Sequence, residues 1–232
     1  MLLLALDTAT PAVTVALHDG DQVVAELTTV DARRQGELLA AAIKRVTAEA
    51  GRTVRDVSVL VAGAGPGPYT GLRAGLVTAR VLGSSLGVPA HGVCTLDVIA
   101  AGAVTAAGRE FLVATDARRR ELYWARYSPA GERLSDPAVA VPASLPAGLP
   151  VAGEGAHAYP AVLGEPLAPR YPSAATLADL AARRLAGGGA FLPLEPLYLR
   201  RPDAREPGPP KPVTGGRGAG RSRPARAWMA AP

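Results

Sequence analysis

Two aspartates follow short apolar segments, where a carboxylate could act on a phosphate or hold a metal ion. Asp7 ends the stretch LLLAL, and Asp116 ends the similar stretch FLVAT. Proteins that hydrolyse ATP place such an aspartate beside glycines, because backbone N–H groups approach a phosphate most closely where no Cβ intervenes. Neither DTATP nor DARRR contains a glycine, so the sequence predicts that both aspartates cap turns. Phosphate contact stays open as an alternative for these side chains: Asp7, Thr8, Thr10, Asp116 and Arg118.

The stretch AGAGPGPYTGLRAGLVTARVLGSSLG, residues 62–87, has the glycines of a phosphate-binding loop without its other parts. No lysine follows the glycines as in a Walker loop, and Pro68 stands where the dinucleotide fingerprint needs its third glycine. Pro66 and Pro68 also lack the N–H groups that would hold an anion. As a phosphate site the stretch is weak.

The same stretch predicts a helix over residues 71–86 with a small residue at every fourth position. A glycine inside a helix costs about 1 kcal/mol relative to alanine, so this stripe indicates the close approach of another element. That element is either a partner's helix or part of this protein. The first alternative predicts a partner interface on this helix and the one before it: Leu38, Leu39, Ile43, Tyr69, Gly71, Leu72, Arg73, Gly75, Leu76, Ala79, Arg80 and Gly83.

Metal-dependent chemistry has little support in the sequence. One cysteine and three histidines far apart in the chain give no metal-ligand spacing. A nuclease would need several carboxylates around Mg²⁺, yet the apolar segment at residues 57–62 ends without one. A metallopeptidase would need histidines on the helix RRQGELLAAAIKRV, which has none. We therefore expect no metal site.

The segment RRRELYWARY, residues 118–127, has two interpretations. Arginines and aromatics together suit contact with RNA, which would place Arg118, Arg119 and Arg120 against tRNA. A strand that packs Trp124 into the core explains the same residues, and we favour the strand.

Regular elements must position these residues. Alternating apolar residues predict strands at 2–6, 12–17 and 22–28, with an Asp-Gly hairpin between the second and third. Helical spacing predicts helices at 36–50, 71–86 and 95–107, with strands at 57–62 and 90–93 between them. FLVATDARRRELYWARY then repeats the pattern of LLALDTATPAVTVAL, with Asp116 in the place of Asp7. Recognisable pieces of the second half follow at 138–141, 151–152 and 174–186.

Three meander strands, a helix, a parallel strand and a helix are the ribonuclease-H-like plan. Two such units in tandem make the α/β architecture of actin, Hsp70 and the sugar kinases (ASKHA). We expect a ribonuclease-H-like domain at residues 1–107, a reduced second one at 108–201, and a disordered basic tail rich in proline and glycine at 202–232.

The composition, 48% hydrophobic and 19% charged, is typical of a globular protein. The formal net charge of +5 resides mostly in the tail, which has six basic and two acidic residues, so it marks no binding face on the domains. A nucleic-acid-binding module that uses the tail is one alternative. The apolar opening lacks basic residues and is interrupted by Asp7, so we expect a buried strand, no membrane contact and a cytoplasmic protein.

Four stretches, LLALDTATPAVTVAL, GAGPGPYTGLRAGL, DARRRELYWARY and PLYLR, resemble the TsaB (YeaZ) family across roughly residues 2–201. The resemblance implies a non-catalytic subunit that pairs with the related catalytic protein TsaD and the ATPase TsaE. That complex threonylcarbamoylates the adenosine beside the tRNA anticodon. The alternative is a kinase- or ATPase-like enzyme of the same fold.

The resemblance also bears on the binding surfaces. It implies docking through the first two long helices, only indirect contact with tRNA, and no cofactor of its own, with ATP or ADP at the joint with the partner. An exposed apolar stripe on those helices would also favour a homodimer. The family often has a histidine near Gln35, so this chain departs from the pattern there.

Overall fold

The computed structural model describes residues 1–199, apart from the side chain of Tyr69. The tail predicted at 202–232 lies outside the described residues. The strands are β1 Leu3–Asp7, β2 Ala12–His18, β3 Val23–Val30, β4 Val59–Gly63, β5 Ala90–Val93, β6 Phe111–Asp116, β7 Leu122–Tyr127, β8 Ala138–Ala140, β9 Val151–Ala152 and β10 Pro166–Leu167. The α-helices are α1 Gln35–Glu49, α2 Tyr69–Leu86, α3 Thr95–Ala107, α4 Glu154–Ala158, α5 Pro160–Leu163 and α6 Ala174–Gly187.

The strands form two five-stranded sheets that repeat one topology. The first has the order β3-β2-β1-β4-β5, and the second has the corresponding order β8-β7-β6-β9-β10. In each sheet the three meander strands are antiparallel, and the fourth and fifth strands continue in parallel. This is the ribonuclease-H-like plan twice over, which confirms the predicted ASKHA fold.

The predicted hairpin between β2 and β3 is present, and Asp19 stabilises it. Its carboxylate accepts hydrogen bonds from the backbone N–H groups of Asp21 and Gln22, both at 2.9 Å. The Asp19 carboxylate therefore acts as a hydrogen-bond acceptor in place of a backbone carbonyl inside the turn. This ability is why aspartate is common in such positions. β1 and β2 are buried along their whole length, whereas β3 alternates between half-buried and exposed residues over its first half.

Helices cover both faces of the first sheet. α1 and α2 pack on one face through residues such as Leu39, Val46 and Leu72. On the other face lies α6, with Leu177 and Ala181 against Val61. The sequence assigns α6 to the second half, yet it packs on the first sheet, so the boundary at residue 107 stays a prediction. α3 packs on the second sheet through Ile99 and its neighbours.

The sequence did not indicate the short elements between β9 and α6. α4, α5 and β10 contain two to five residues each, in a region rich in proline and glycine. Elements of this length show too few periods of their hydrophobic pattern to be recognised.

Candidate functional site

Asp7, at the carboxyl end of β1, is completely buried and has a partner for each oxygen. Its Oδ1 accepts the N–H of Ala9 at 2.7 Å, which confirms the predicted turn cap. Its Oδ2 accepts the hydroxyl of Thr95 at 2.8 Å, and Thr95 begins α3. The carboxylate therefore joins the first loop, residues 8–11 between β1 and β2, to the helix that leads to the second sheet.

The Gly-Pro loop closes over this aspartate. A Cβ on Gly63 would overlap the Asp7 carboxylate, and a Cβ on Gly67 would overlap the carbonyl oxygen of Ala9. Because these glycines have no side chains, the Gly-Pro loop packs directly against Asp7 and the first loop. In a phosphate-binding loop the two segments would be separated by the ligand. The glycines of this stretch therefore allow the loop to close.

The small-residue stripe on α2 faces the protein's own interior. A Cβ on Gly75 would lie 2.5 Å from the Thr8 hydroxyl, and one on Gly83 would lie 3.1 Å from Ala90. Ala79 is buried as well. The structure therefore corrects the interpretation of the stripe as a surface for a partner's helix, because β1, β5 and the first loop already occupy that space.

Thr8 uses the room left by Gly75. Its hydroxyl donates to the carbonyl of Gly71 at 2.7 Å and accepts the N–H of Gly75 at 3.0 Å. Those are the two groups that one helical hydrogen bond would join directly. A threonine that bridges them fixes the first turns of α2 to β1, and only glycine leaves it the space.

Gln35, at the start of α1, seals the first loop from the side. Its amide nitrogen donates to the carbonyls of Thr8 at 3.2 Å and Thr10 at 2.7 Å. Its side chain also fills the space beside Gly71. Asp7 and Thr8 consequently have no accessible surface to offer a phosphate, in contrast to the sequence-based alternative.

The second loop is more open and more strained. Asp116 Oδ1 accepts the N–H of Arg118 at 2.8 Å, which confirms the second turn cap, and Oδ2 pairs with the Arg118 guanidinium at 3.2 Å. Arg118, Arg119 and Arg120 all adopt left-handed backbone angles, with φ of 61°, 55° and 61°. Such a conformation costs roughly 1–2 kcal/mol for each non-glycine residue. Nothing in the composition of DARRR indicated this run.

Arg118 lies over a cavity of about 320 Å³ between the two loops. The side chains of Thr10, Gln35 and Thr70 line the same cavity. Phosphate contact by Thr10, Asp116 and Arg118 stays a prediction, as does contact of this loop with tRNA.

The predicted interface residues divide into buried and accessible groups. Arg73 and Arg80 are exposed and Leu38 is half-buried. The others whose side chains are described lie in the interior: Leu39, Ile43, Gly71, Leu72, Gly75, Leu76, Ala79 and Gly83. The accessible face of α2 includes Val77 and Val81, which are 58% and 56% exposed.

An apolar groove runs between α1 and α2. Its volume is about 460 Å³, and its lining includes Ile43, Thr47, Thr78 and Leu82. The exposed Val77 and Val81 precede Thr78 and Leu82 on α2 and add apolar surface to the same helix. We call this groove, together with Val77 and Val81, the docking surface.

A C-terminal strap, residues 191–199, holds the arginines of α2. The guanidinium of Arg80 donates to the carbonyl of Leu194 at 2.7 Å, and Arg73 donates to the hydroxyl of Tyr198 at 2.8 Å. Leu192 pairs with Gly92 as a short continuation of the sheet edge. The two arginines are therefore engaged within the chain.

Two further features can be assessed within residues 1–199. No three histidine, cysteine or acidic side chains lie close enough together there to hold a metal ion. None of the helices in that range has the length and apolar character needed to cross a membrane.

Comparison with known sequences identifies the family. The protein-family model described as TsaD, tRNA N6-adenosine threonylcarbamoyltransferase, matches residues 22–161. The Escherichia coli protein called tRNA threonylcarbamoyladenosine biosynthesis protein TsaB is 36% identical over 128 residues, which are 55% of each chain. The chain belongs to the TsaB (YeaZ) family.

Two further relatives extend the similarity over most of the chain. An uncharacterized protein of Mycobacterium tuberculosis is 46% identical over 206 residues, covering 87% of this chain and 93% of that protein. The structure of YeaZ from Pseudomonas aeruginosa superposes with a TM-score of 0.71 at 29% identity. It covers 85% of this chain and 99% of its own.

The buried aspartate of this TsaB-family chain should make folding stability depend on pH. Burial raises the pKa of Asp7 from 3.8 to about 6, although the hydrogen bonds from Ala9 and Thr95 lower it in part. The folded state then holds this proton more tightly than the unfolded state, so stability falls as pH rises from about 4 to 6. A shift of about two pKa units corresponds to roughly 3 kcal/mol.

We expect Asp7→Asn to remove this contribution to the pH dependence. Urea unfolding at pH 4 and pH 7 should show the variant gaining up to about 3 kcal/mol relative to wild type at the higher pH. Thr95→Val should have the opposite effect, because it removes a hydrogen bond that favours the charged carboxylate. An Asp7→Asn variant that follows the wild-type curve in parallel would contradict the assignment.

Proposed function

We propose that this chain is a non-catalytic subunit in threonylcarbamoylation of the tRNA adenosine beside the anticodon. It binds a TsaD-like catalytic homologue and a TsaE-like ATPase, and contacts tRNA only indirectly. The relatives named TsaB support the pathway. We place the protein in the cytoplasm, where tRNA is used.

The closed first loop is the observation that carries the non-catalytic role. An enzyme of this fold needs an accessible carboxylate beside N–H groups that can reach a phosphate. Here the Asp7 carboxylate is buried between Ala9 and Thr95, and Gly67 brings the loops together. Pro66 and Pro68 donate no N–H groups to a ligand.

The docking surface supports the partner assignment. An apolar groove between two long helices can receive a helix of another protein. The groove lining also includes Lys44 and Arg52, which favours a partner with acidic groups at the rim. In the absence of the catalytic homologue, a second copy of this chain would cover the same surface and form a homodimer.

Any ATP or ADP would lie at the joint with the partner rather than within this chain. The chain alone supplies Thr10, Thr70 and Arg118 around the cavity between its loops. These groups can bind phosphate oxygens, and the cavity, at about 320 Å³, lies at the lower end of the range of about 300–1,000 Å³ typical of small-molecule pockets. The remaining contacts would come from the catalytic homologue.

The test is reconstitution from purified components. The catalytic homologue, the ATPase and tRNA of the same organism are incubated with ATP and an activated threonylcarbamoyl donor, with and without this chain, and threonylcarbamoyladenosine is measured by mass spectrometry. We expect product only when the chain is present, and negligible ATP turnover by the chain alone. Turnover by the chain alone that Asp7→Asn abolishes would support the kinase- or ATPase-like alternative instead.

A further inference from the structure

A second polar cavity, of about 670 Å³, lies between α3, α6 and the turn at residues 128–133. Arginines project into it from two of these elements: Arg133 from the turn, and Arg183 and Arg184 from α6. Asp97 of α3 and Glu132 of the turn supply the two acidic groups of its lining. None of these residues belongs to the loops at Asp7 and Asp116 or to the docking surface.

The three arginines of this cavity outnumber its two carboxylates. Arg133 pairs with Asp97 at 3.3 Å, and Arg184 reaches the other oxygen of the same carboxylate only at 4.0 Å. The buried Tyr127 hydroxyl also donates to Asp97, at 2.9 Å. One carboxylate thus serves two arginines and a tyrosine, and the cavity lining keeps an excess of positive charge.

The backbone holds Arg133 in place. The N–H of Ser128 donates to the carbonyl of Glu132 at 2.8 Å, and Tyr127 and Arg133 form an antiparallel bridge. Gly131 lets the turn approach α3, because a Cβ there would lie 2.8 Å from a methyl group of Val104. A site whose charged groups stand on fixed elements binds with less loss of conformational entropy.

Apart from Thr105, the remaining side chains of the cavity wall are apolar. Ala101 and Val104 of α3 face Leu180 of α6 across it. Pockets for small molecules typically have volumes of about 300–1,000 Å³ and combine apolar walls with a few convergent polar groups. Guanidinium groups are well suited to phosphate oxygens, since they donate two parallel hydrogen bonds.

We propose that this arginine cavity binds a phosphorylated small molecule the size of a nucleotide. Arg183 and Arg184, with Arg133, hold the phosphate group, and the wall formed by Ala101, Val104 and Leu180 receives the ring or chain attached to it. The concave shape favours a small ligand over the backbone of an RNA helix. This site is independent of the function proposed above.

The experiment uses adenosine 5′-monophosphate, inorganic phosphate and tRNA as probes of the full chain in calorimetric titrations at low ionic strength. We expect saturable binding of the nucleotide, tighter than that of inorganic phosphate. Arg183→Ala/Arg184→Ala should weaken nucleotide binding at least ~10-fold, since hydrogen bonds to charged groups contribute about 1.5–3 kcal/mol each. Circular dichroism and thermal unfolding establish that each variant is folded.

The control variant is Arg55→Ala/Arg109→Ala, which removes the same charge from exposed positions outside the cavity. It should bind the nucleotide as wild type does. Equal weakening by both double variants would indicate a general charge effect and overturn the proposal. The proposal would also be overturned if the nucleotide does not bind saturably. A third contradicting result is that the chain binds tRNA but not the nucleotide, and that only Arg183→Ala/Arg184→Ala loses this tRNA binding.

Discussion

Replacing Gly63 with alanine is expected to destabilise the fold by about 3 kcal/mol or more, the upper range for overpacking a buried site. The new methyl group would overlap the Asp7 carboxylate, which cannot move aside because Ala9 and Thr95 hold its two oxygens. Urea unfolding at pH 7 measures the loss.

The matched control is Gly36→Ala on α1, where a Cβ would meet nothing within 4 Å. It should leave stability unchanged or raise it by up to about 1 kcal/mol, because alanine is the better helix former. A double-mutant cycle with Asp7→Ala should show that Gly63→Ala costs about 2 kcal/mol less once the carboxylate is gone. If the two substitutions have additive effects on the free energy of unfolding, the new methyl group does not act through the Asp7 carboxylate, and the prediction is contradicted.

Introducing two charges on the docking surface is expected to abolish binding of the catalytic homologue. Val77→Glu/Val81→Glu replaces two apolar side chains with carboxylates. A partner that binds there would have to remove the water from these charges. Truncations at the centre of an interface often cost 2 kcal/mol or more, and buried unpaired charges cost more still. We therefore expect an affinity loss of roughly 100-fold or greater, measured by calorimetry or pull-down.

The control for this experiment is Val141→Glu/Val162→Glu. These valines are 48% and 54% exposed and lie in the second half of the chain, so the change in charge and exposure is closely matched. This variant should bind as wild type does, and thermal unfolding of both should be unaffected. If Val77→Glu/Val81→Glu retains wild-type affinity, the catalytic homologue does not dock between α1 and α2.

The α2 stripe shows how far a helical pattern can be interpreted. The spacing of Gly71, Gly75 and Gly83 correctly indicated close packing of another element against the helix. It could not distinguish a foreign helix from the chain's own first loop, because helical periodicity identifies the residues of one face and not the body that covers it. Val77 and Val81, on the opposite side of α2, are also four residues apart, so the spacing alone could not show which of the two faces is exposed.

The two aspartate loops illustrate a second limit. The letters DTATP and DARRR both predicted turn caps, and both caps are present. Only the folded chain distinguishes them, because burial depends on distant segments: Thr95 and Gly63 enclose Asp7, whereas Asp116 remains partly accessible beside Arg118. The rise in the pKa of Asp7 follows from that enclosure.

The sequence by itself determined the repeated strand–Asp–hairpin plan, the long helices and the resemblance to the TsaB family. Those properties depend on local periodicity, turn residues and short motifs, which are local in the chain. The tertiary structure alone decided which face of α2 is open, that the first loop is closed, and that Asp97, Arg133 and Arg184 meet in one cavity. These are contacts between residues far apart in sequence, and they exist only once the packing of the two sheets and their helices has fixed the distances.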